Sequence, residues 1–261
     1  NLRQLKWHYR SRCESLIAFS NRHIYAPEGR ALITFPSSRP GSFSIDRIRL
    51  KGSFLSGRSA GSGGAGGGVN AAEAQRIAEE AVRFMRENAK LADPPSLGLI
   101  AMNAAQAELI QEELRQRAAG DDLVDEYRLN VARMGEPLFV KNLENVQGDE
   151  RDYILISMTY GPRPGETVVL NRFGPITKKQ GHRRLNVLFT RARMRIGIVT
   201  SMDSSDIRPT EASSRGVHLL KAYLAYAETA GREEGSSTGH EPDSDFEIYV
   251  ADRLKALGYR I

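Results

Sequence analysis

The residues best equipped for chemistry lie in three polar segments. The first is His8-Tyr9-Arg10-Ser11. The second, Glu144-Asn145-Val146-Gln147-Gly148-Asp149-Glu150-Arg151-Asp152, directly precedes an apolar run. The third is Arg183-Arg184-Leu185-Asn186-Val187-Leu188-Phe189-Thr190-Arg191-Ala192-Arg193. A guanidinium clamps phosphate by charge and by its forked geometry. Gln147 and Glu150 offer an amide and a carboxylate suited to a sugar hydroxyl. Gly148 between them permits close backbone approach or a positive φ. The chemistry these residue types point to is the handling of phosphate, on a nucleotide or a nucleic acid.

Other chemistries are excluded by the same sequence. Of the 24 glycines none is followed by Lys, so there is no G-x-x-x-x-G-K-[ST] phosphate loop and no nucleotide hydrolysis by this stretch alone. His8, His23, His182, His218 and His240 are scattered without metal-ligand spacing, and no metal is expected. The one cysteine, Cys13, can form neither an internal disulfide nor a CxxC site, and reads as a small buried hydrophobe. No apolar run reaches the roughly 18 residues of a membrane span, and NLRQLKWHYR lacks a signal-peptide core. A cytoplasmic chain with no membrane partner is expected. Without an initiator Met, and entering a dense motif at once, it reads as a piece of a longer polypeptide.

The net charge of +5 is unevenly spread. Residues 171–200 carry eight Arg/Lys and no acid, residues 1–30 sum to +4, and residues 231–250 sum to −5. Such concentration suggests an anionic partner, the alternative being a solvated basic face.

These residues need elements to position them. Ser11-Arg12-Cys13-Glu14 predicts a capping box opening a helix through about Tyr25. ALITF (31–35) and SFSIDRIRL (42–50) predict strands, and the Gly/Ser-rich residues 56–69 a plain loop. Asn70 to Glu73 predicts a second capping box with a helix to about Asn88, and Asn103 to Gln106 caps another through about Arg117. SLGLIAM (96–102), LFV (138–140), YILISMT (153–159) and RIGIVTS (195–201) predict strands, the middle two flanking a polar turn. RRLNVLFTRA predicts a helix with Arg184, Leu188 and Arg191 on one face, and residues 216–229 a last helix. Strands alternating with helices predict an α/β sandwich with a mainly parallel sheet. Such sheets bind ligands beyond their carboxyl ends, so chemistry is sought after the strands.

Together the three segments resemble the second RecA-like domain of superfamily 1 helicases, in the branch that contains the nonsense-mediated-decay RNA helicase. HYRS is similar to the motif that opens this domain, and GLIAMNAAQAELI (98–110) to the strand-then-glutamine segment. ENVQGDERDYILISMTYG (144–161) resembles motif V and GHRRLNVLFTRAR (181–193) motif VI. The resemblance covers about residues 1–205. It implies a RecA-like three-layer α/β/α sandwich over residues 1–208, with a C-terminal helix at 209–230; the polar, acidic, breaker-rich composition of residues 231–243 reads as a linker.

The resemblance also implies roles. Arg10 would contact the γ-phosphate, and Arg191 would be the arginine finger that offsets charge in phosphoryl transfer. Gln147, Gly148 and Glu150 would couple the nucleotide site to the nucleic-acid groove, Glu150 holding the ribose. Arg184 would contact phosphate or make an interdomain pair. Asn103, Gln106, Asn145 and Thr159 would face nucleic acid. Trp7 and Tyr9 either stack on a base or pack in the core. Ala101 and Met102 stand where the family often has threonine and proline, which puts one backbone contact in doubt. The phosphate loop, the Mg2+-binding acidic motif and the attacking-water Gln belong to the family's first RecA-like domain. ATP and Mg2+ are therefore expected only together with that domain of the same polypeptide. The whole protein is expected to hydrolyse ATP and translocate on a single strand of DNA (or RNA), while this stretch does neither. The rival reading is a non-catalytic nucleic-acid-binding scaffold that delivers a fused endonuclease. SDFEIYVADRLKALGYRI (244–261) resembles the first helix of a very-short-patch-repair or restriction-endonuclease-like domain, with Glu247 as its acidic residue; an amphipathic surface helix is the other reading.

Overall fold

The computed structural model describes residues 7–8, 10–34, 44–57, 67–229, 252–253 and 255–256. The core of the Gly-rich loop, Tyr9, the acidic linker and Glu247 lie outside the described residues.

Five strands form one parallel sheet. They are β3 (Ile45–Arg49), β4 (Leu97–Ala101), β5 (Phe139–Asn142), β6 (Arg151–Ser157) and β7 (Ala192–Thr200), in the spatial order β3-β7-β6-β4-β5. Two shorter strands, β1 (Trp7–His8) and β2 (Ile33–Thr34), pair in parallel apart from it. Side-chain alternation gives the sheet two apolar faces. Tyr153 and Leu155 of β6 face α2 (Ala71–Asn88), α3 (Ala104–Arg117) and α4 (Asp122–Arg133). Ile154 and Ile156 face α1 (Ser15–Ser20), α5 (Gly181–Phe189) and α6 (Arg215–Glu228). The result is the expected three-layer sandwich.

Caps and periodicity account for the helices on the first face. Asn70 accepts from the Glu73 N–H and Asn103 from the Gln106 N–H, fixing the starts of α2 and α3. Asp121 caps α4, a helix not foreseen in the sequence, and its buried stripe is Val124, Tyr127 and Val131.

Four expectations are corrected. Ser11 does not cap α1, which begins at Ser15 and passes after Ser20 into a π-helix (Asn21–Tyr25) and a 3-10 turn (Ala26–Glu28); the Ser11 hydroxyl bonds His8 Nε2 at 2.9 Å instead. β5 and β6 do not flank a simple turn. Both run parallel to β4 on its two sides, so residues 143–150 cross from the carboxyl end of β5 to the amino end of β6, anchored by buried Leu143 and Val146. The α5 helix stops at Phe189, which leaves Arg191 beyond it rather than on the face of Arg184 and Leu188. β7 starts at Ala192, and its register with β6 slips between Arg151 and Tyr153, a β-bulge at the strand entrance.

Candidate functional site

Three distant segments converge at the amino ends of β6 and β7. Arg10 Nε lies 2.7 Å from Glu150 Oε2. Arg191 donates from Nε to the Val187 carbonyl at 2.7 Å, from Nη1 to the Asp149 carbonyl at 3.2 Å, and from Nη2 to Thr190 Oγ1 at 3.3 Å. Three of its five N–H groups thus bond within the fold among the described residues, and two stay available to an acceptor. Burial, and next the like charge of Arg10, hold the Arg191 guanidinium below its ordinary value, while Glu150 pulls the other way. Two guanidiniums around one carboxylate leave uncompensated positive charge, which a polyanion would neutralise.

Neighbours hold this cluster in shape. Burial, then Arg10, keep His8 below its ordinary value, and a neutral ring accepts the Ser11 N–H at Nε2. Tyr25, on the π-helical turn, accepts from Asn186 Nδ2 at 2.9 Å and adds to the field at Arg191. Lys141 holds the Asp149 carboxylate at 2.7 Å, which secures the carbonyl that Arg191 uses. Gln147 and Gly148 are exposed on the same crossover, Gly148 with φ +93°. Arg184 is not in the cluster; it pairs with exposed Glu144 at 3.7 Å.

The position of the cluster corrects the search rule. It lies at the amino edge of the sheet, not at the carboxyl edge where ligands of open α/β sheets are expected. Two neighbouring carboxylates are already taken, Glu150 by Arg10 and Asp149 by Lys141. That donor set does not fit Mg2+, which prefers free oxygen ligands in octahedral array.

Behind the cluster lies a residue overlooked in the sequence. Arg193, in the bulge of β7, bonds Asp152 at 2.9 Å, Ser96 Oγ at 3.0 Å and both oxygens of Glu136. Glu136, held mainly by Arg193, falls to about 2. One guanidinium thereby pins three other segments beside Arg191. Its only sequence signal was an arginine at the start of a strand that turns apolar from Ile196 onward.

At the carboxyl edge the residues assigned to nucleic acid are differently employed. Gln106 is wholly buried: its amide nitrogen donates to the Asn70 carbonyl and to Ser157 Oγ, and its oxygen accepts from the Asn70 N–H. Thr159 is wholly buried too, and among the described residues it is the one non-glycine with positive φ, +64°. Both assignments are corrected, since a side chain sealed inside a bonded network cannot touch a strand. Asn103, half-buried, uses its amide to cap α3 and to hold the Gly68 carbonyl. Asn145 is exposed on the crossover.

Glu73 is the hub of that network. Fully buried, it accepts from Ser157 Oγ at 2.7 Å, Thr159 N at 2.6 Å, Ser201 N at 2.8 Å and Asn70 Nδ2 at 3.3 Å. Burial pushes its carboxyl up to about 7 against the pull of these donors.

The chain is similar to several known proteins. A family model described as an AAA domain matches residues 1–203. The uncharacterized ATP-dependent helicase MG140 homolog of Mycoplasma pneumoniae is 34% identical over 237 residues, covering 89% of this chain and 19% of that protein. The uncharacterized ATP-dependent helicase MG140 of Mycoplasma genitalium is 33% identical over 233 residues, covering 88% of this chain and 19% of that protein. The chain thus spans 19% of the length of these curated relatives. A solved C-terminal domain of a possible DNA helicase from Lactobacillus plantarum is a remote likeness, 12% identical with TM-score 0.38, covering 83% of this chain and 96% of that one.

Proposed function

The chain belongs to this AAA domain family and carries a helicase-like RecA-type domain, and on that footing we propose that it is the second motor domain of an ATP-dependent helicase or translocase. It supplies half of a composite ATP site, the phosphate loop coming from a first RecA-like domain of the same polypeptide. The convergence of Arg10, Glu150 and Arg191 at the amino edge carries this reading.

The mechanism follows from charge. Arg191 is the arginine finger: its two open N–H groups meet the oxygens on which charge gathers as the γ-phosphoryl leaves. Arg10 contacts the γ-phosphate, held at the right height by Glu150. The same carboxylate serves the ribose, and Gln147 and Gly148 line the approach. Attraction of two guanidiniums for the γ-phosphate holds the domains closed, and its loss after hydrolysis lets them part. Alternation of the two states moves their grip along a single strand of DNA (or RNA), mostly without regard to sequence. Bound Mg2+ would neutralise the phosphates of ATP, its ligands coming from the first domain. Membership in the nonsense-mediated-decay branch, the boundary near residue 208 and a nuclease-like domain from residue 244 belong to the same proposal.

Arg191→Ala in the full-length protein tests it. Steady-state ATP turnover is expected to fall by about 10³-fold or more, with single-strand binding retained. Turnover within a few-fold of wild type would overturn the finger assignment. A full-length protein that binds strands without hydrolysing ATP would favour the scaffold reading instead.

A further inference from the structure

Burial removes Gln106 and Thr159 from any strand contact, so the carboxyl side needs other groups to hold a polyanion. What the fold exposes there is cationic. Arg172, Lys178, Lys179, Arg183 and Arg208 are all exposed, and among the described residues none pairs with a carboxylate. Elsewhere Arg47, Arg86, Arg115, Arg117 and Arg195 each hold one, and the exposed cations without one, such as Lys51, Lys90 and Arg133, lie apart in the chain instead of grouped on one turn.

These cations stand on a fixed turn. The chain leaves β6 through Tyr160, whose ring packs edge-on against buried Phe173 at 5.5 Å. A 3-10 turn follows (Gly174–Thr177) with Ile176 fully buried. The Ile176 carbonyl accepts from Ser214 Oγ at 3.2 Å, and the backbones of Gly181 and Gly216 press so close to it that a Cβ would come within 1.9 and 2.2 Å. Lys178 O accepts from the Gly181 N–H at 2.8 Å, and Asn171 Nδ2 donates to Arg208 O at 2.6 Å, tying the two ends of the patch together. Like charges held in place without counter-charge repel one another, and a polyanion relieves that repulsion with little further ordering.

We propose that the turn bearing Arg172, Lys178, Lys179, Arg183 and Arg208 grips the phosphodiester backbone of single-stranded nucleic acid. The proposal rests on the reading of the chain as part of a strand-translocating motor. It places the grip at the end of α5 opposite Arg191, so that strand and nucleotide engage the two ends of one helix. Contact is through phosphates and therefore indifferent to base sequence.

The test compares full-length wild type with the triple variant Lys178→Ala, Lys179→Ala, Arg183→Ala. Binding of a fluorescein-labelled oligothymidylate is followed by anisotropy from about 50 to 300 mM NaCl. Three lost phosphate contacts lower the slope of log Kd against log salt by about 2 and weaken binding about 100-fold near 0.1 M salt. The cations of α2 that pair with Glu80 supply the control: Arg76→Ala, Arg83→Ala removes two charges and leaves slope and affinity in place, with thermal unfolding confirming the fold of each variant. A triple variant that binds like wild type at every salt concentration overturns the proposal and leaves the motor reading standing. So does an α2 variant that loses as much as the triple, since net charge would then explain the effect. A wild type that binds no strand at all removes the motor reading, and this proposal with it.

Discussion

Replacing Glu73 by glutamine separates the charge of the buried hub from its shape. In the folded chain this carboxyl lies at about 7, against an ordinary 4.5. The native state therefore holds the proton more tightly than the unfolded state. The associated stability is fully present below about pH 4.5, declines as the pH rises, and is gone above about 7. A difference of about 2.5 pK units corresponds to roughly 3 kcal/mol. Hydrogen bonds from Ser157, Thr159 and Ser201, and not a neighbouring charge, are what oppose burial at this site, so the effect belongs to one group. The amide introduced by Glu73→Gln does not titrate. Its hydrogens face donors, so the variant is weakened at every pH, but that offset does not move with pH. Urea denaturation of both proteins across pH 4.5–7.5 gives the difference between their stabilities. That difference is expected to shrink by roughly 3 kcal/mol, about 1 M in relative urea midpoint for a protein of this size. Groups elsewhere titrate in both proteins and cancel. Parallel profiles, agreeing within about 1 kcal/mol over the range, would show that the buried carboxyl keeps its ordinary proton affinity and refute the reasoning.

Two further perturbations bear on the supports of the two sites. Arg193→Ala strands Asp152, Glu136 and Ser96 at the entrance of β7 and is expected to lower stability by about 3–5 kcal/mol in chemical denaturation; a loss under 1 kcal/mol would mean that the bulge needs no pin. Gly181→Ala sets a methyl group against the Ile176 carbonyl, and a loss of about 2–3 kcal/mol is expected in thermal unfolding, with no loss if the turn beneath Lys178 and Lys179 can shift freely.

Local signals carried much of this structure in the sequence. Capping residues and apolar periodicity marked α2 and α3, and short apolar runs marked β4 and β6, because each is decided within a few neighbouring residues. The α4 helix has the same signals in Asp121, Val124, Tyr127 and Val131, but they are masked by a stretch rich in charge. Arg10, Glu150 and Arg191 were recognisable by type and motif, but their edge of the sheet was not. That edge depends on the crossover at residues 143–150, whose direction is fixed by pairing with β4 rather than by local sequence. The burial of Gln106 and Thr159 was illegible for a related reason. Polar residues are expected at the surface, and only the meeting of Asn70, Glu73, Gln106, Ser157 and Ser201 satisfies them inside.

The strand order sets a timetable for the chain's assembly. β4 and β5 lie close in sequence, and with α2, α3 and α4 they can pack soon after they are made. β3 is made before any of them, yet in this sheet it pairs only with β7, Ile45 opposite Ile196. At ordinary rates of synthesis the intervening stretch of about 150 residues takes roughly 10–30 s to emerge. Throughout that interval Ile45–Arg49 has no sheet to join, and loop closure over such a distance is slow in itself. A shortened chain ending before Ala192 would keep that strand unpaired for good, with both backbone edges open to neighbouring molecules.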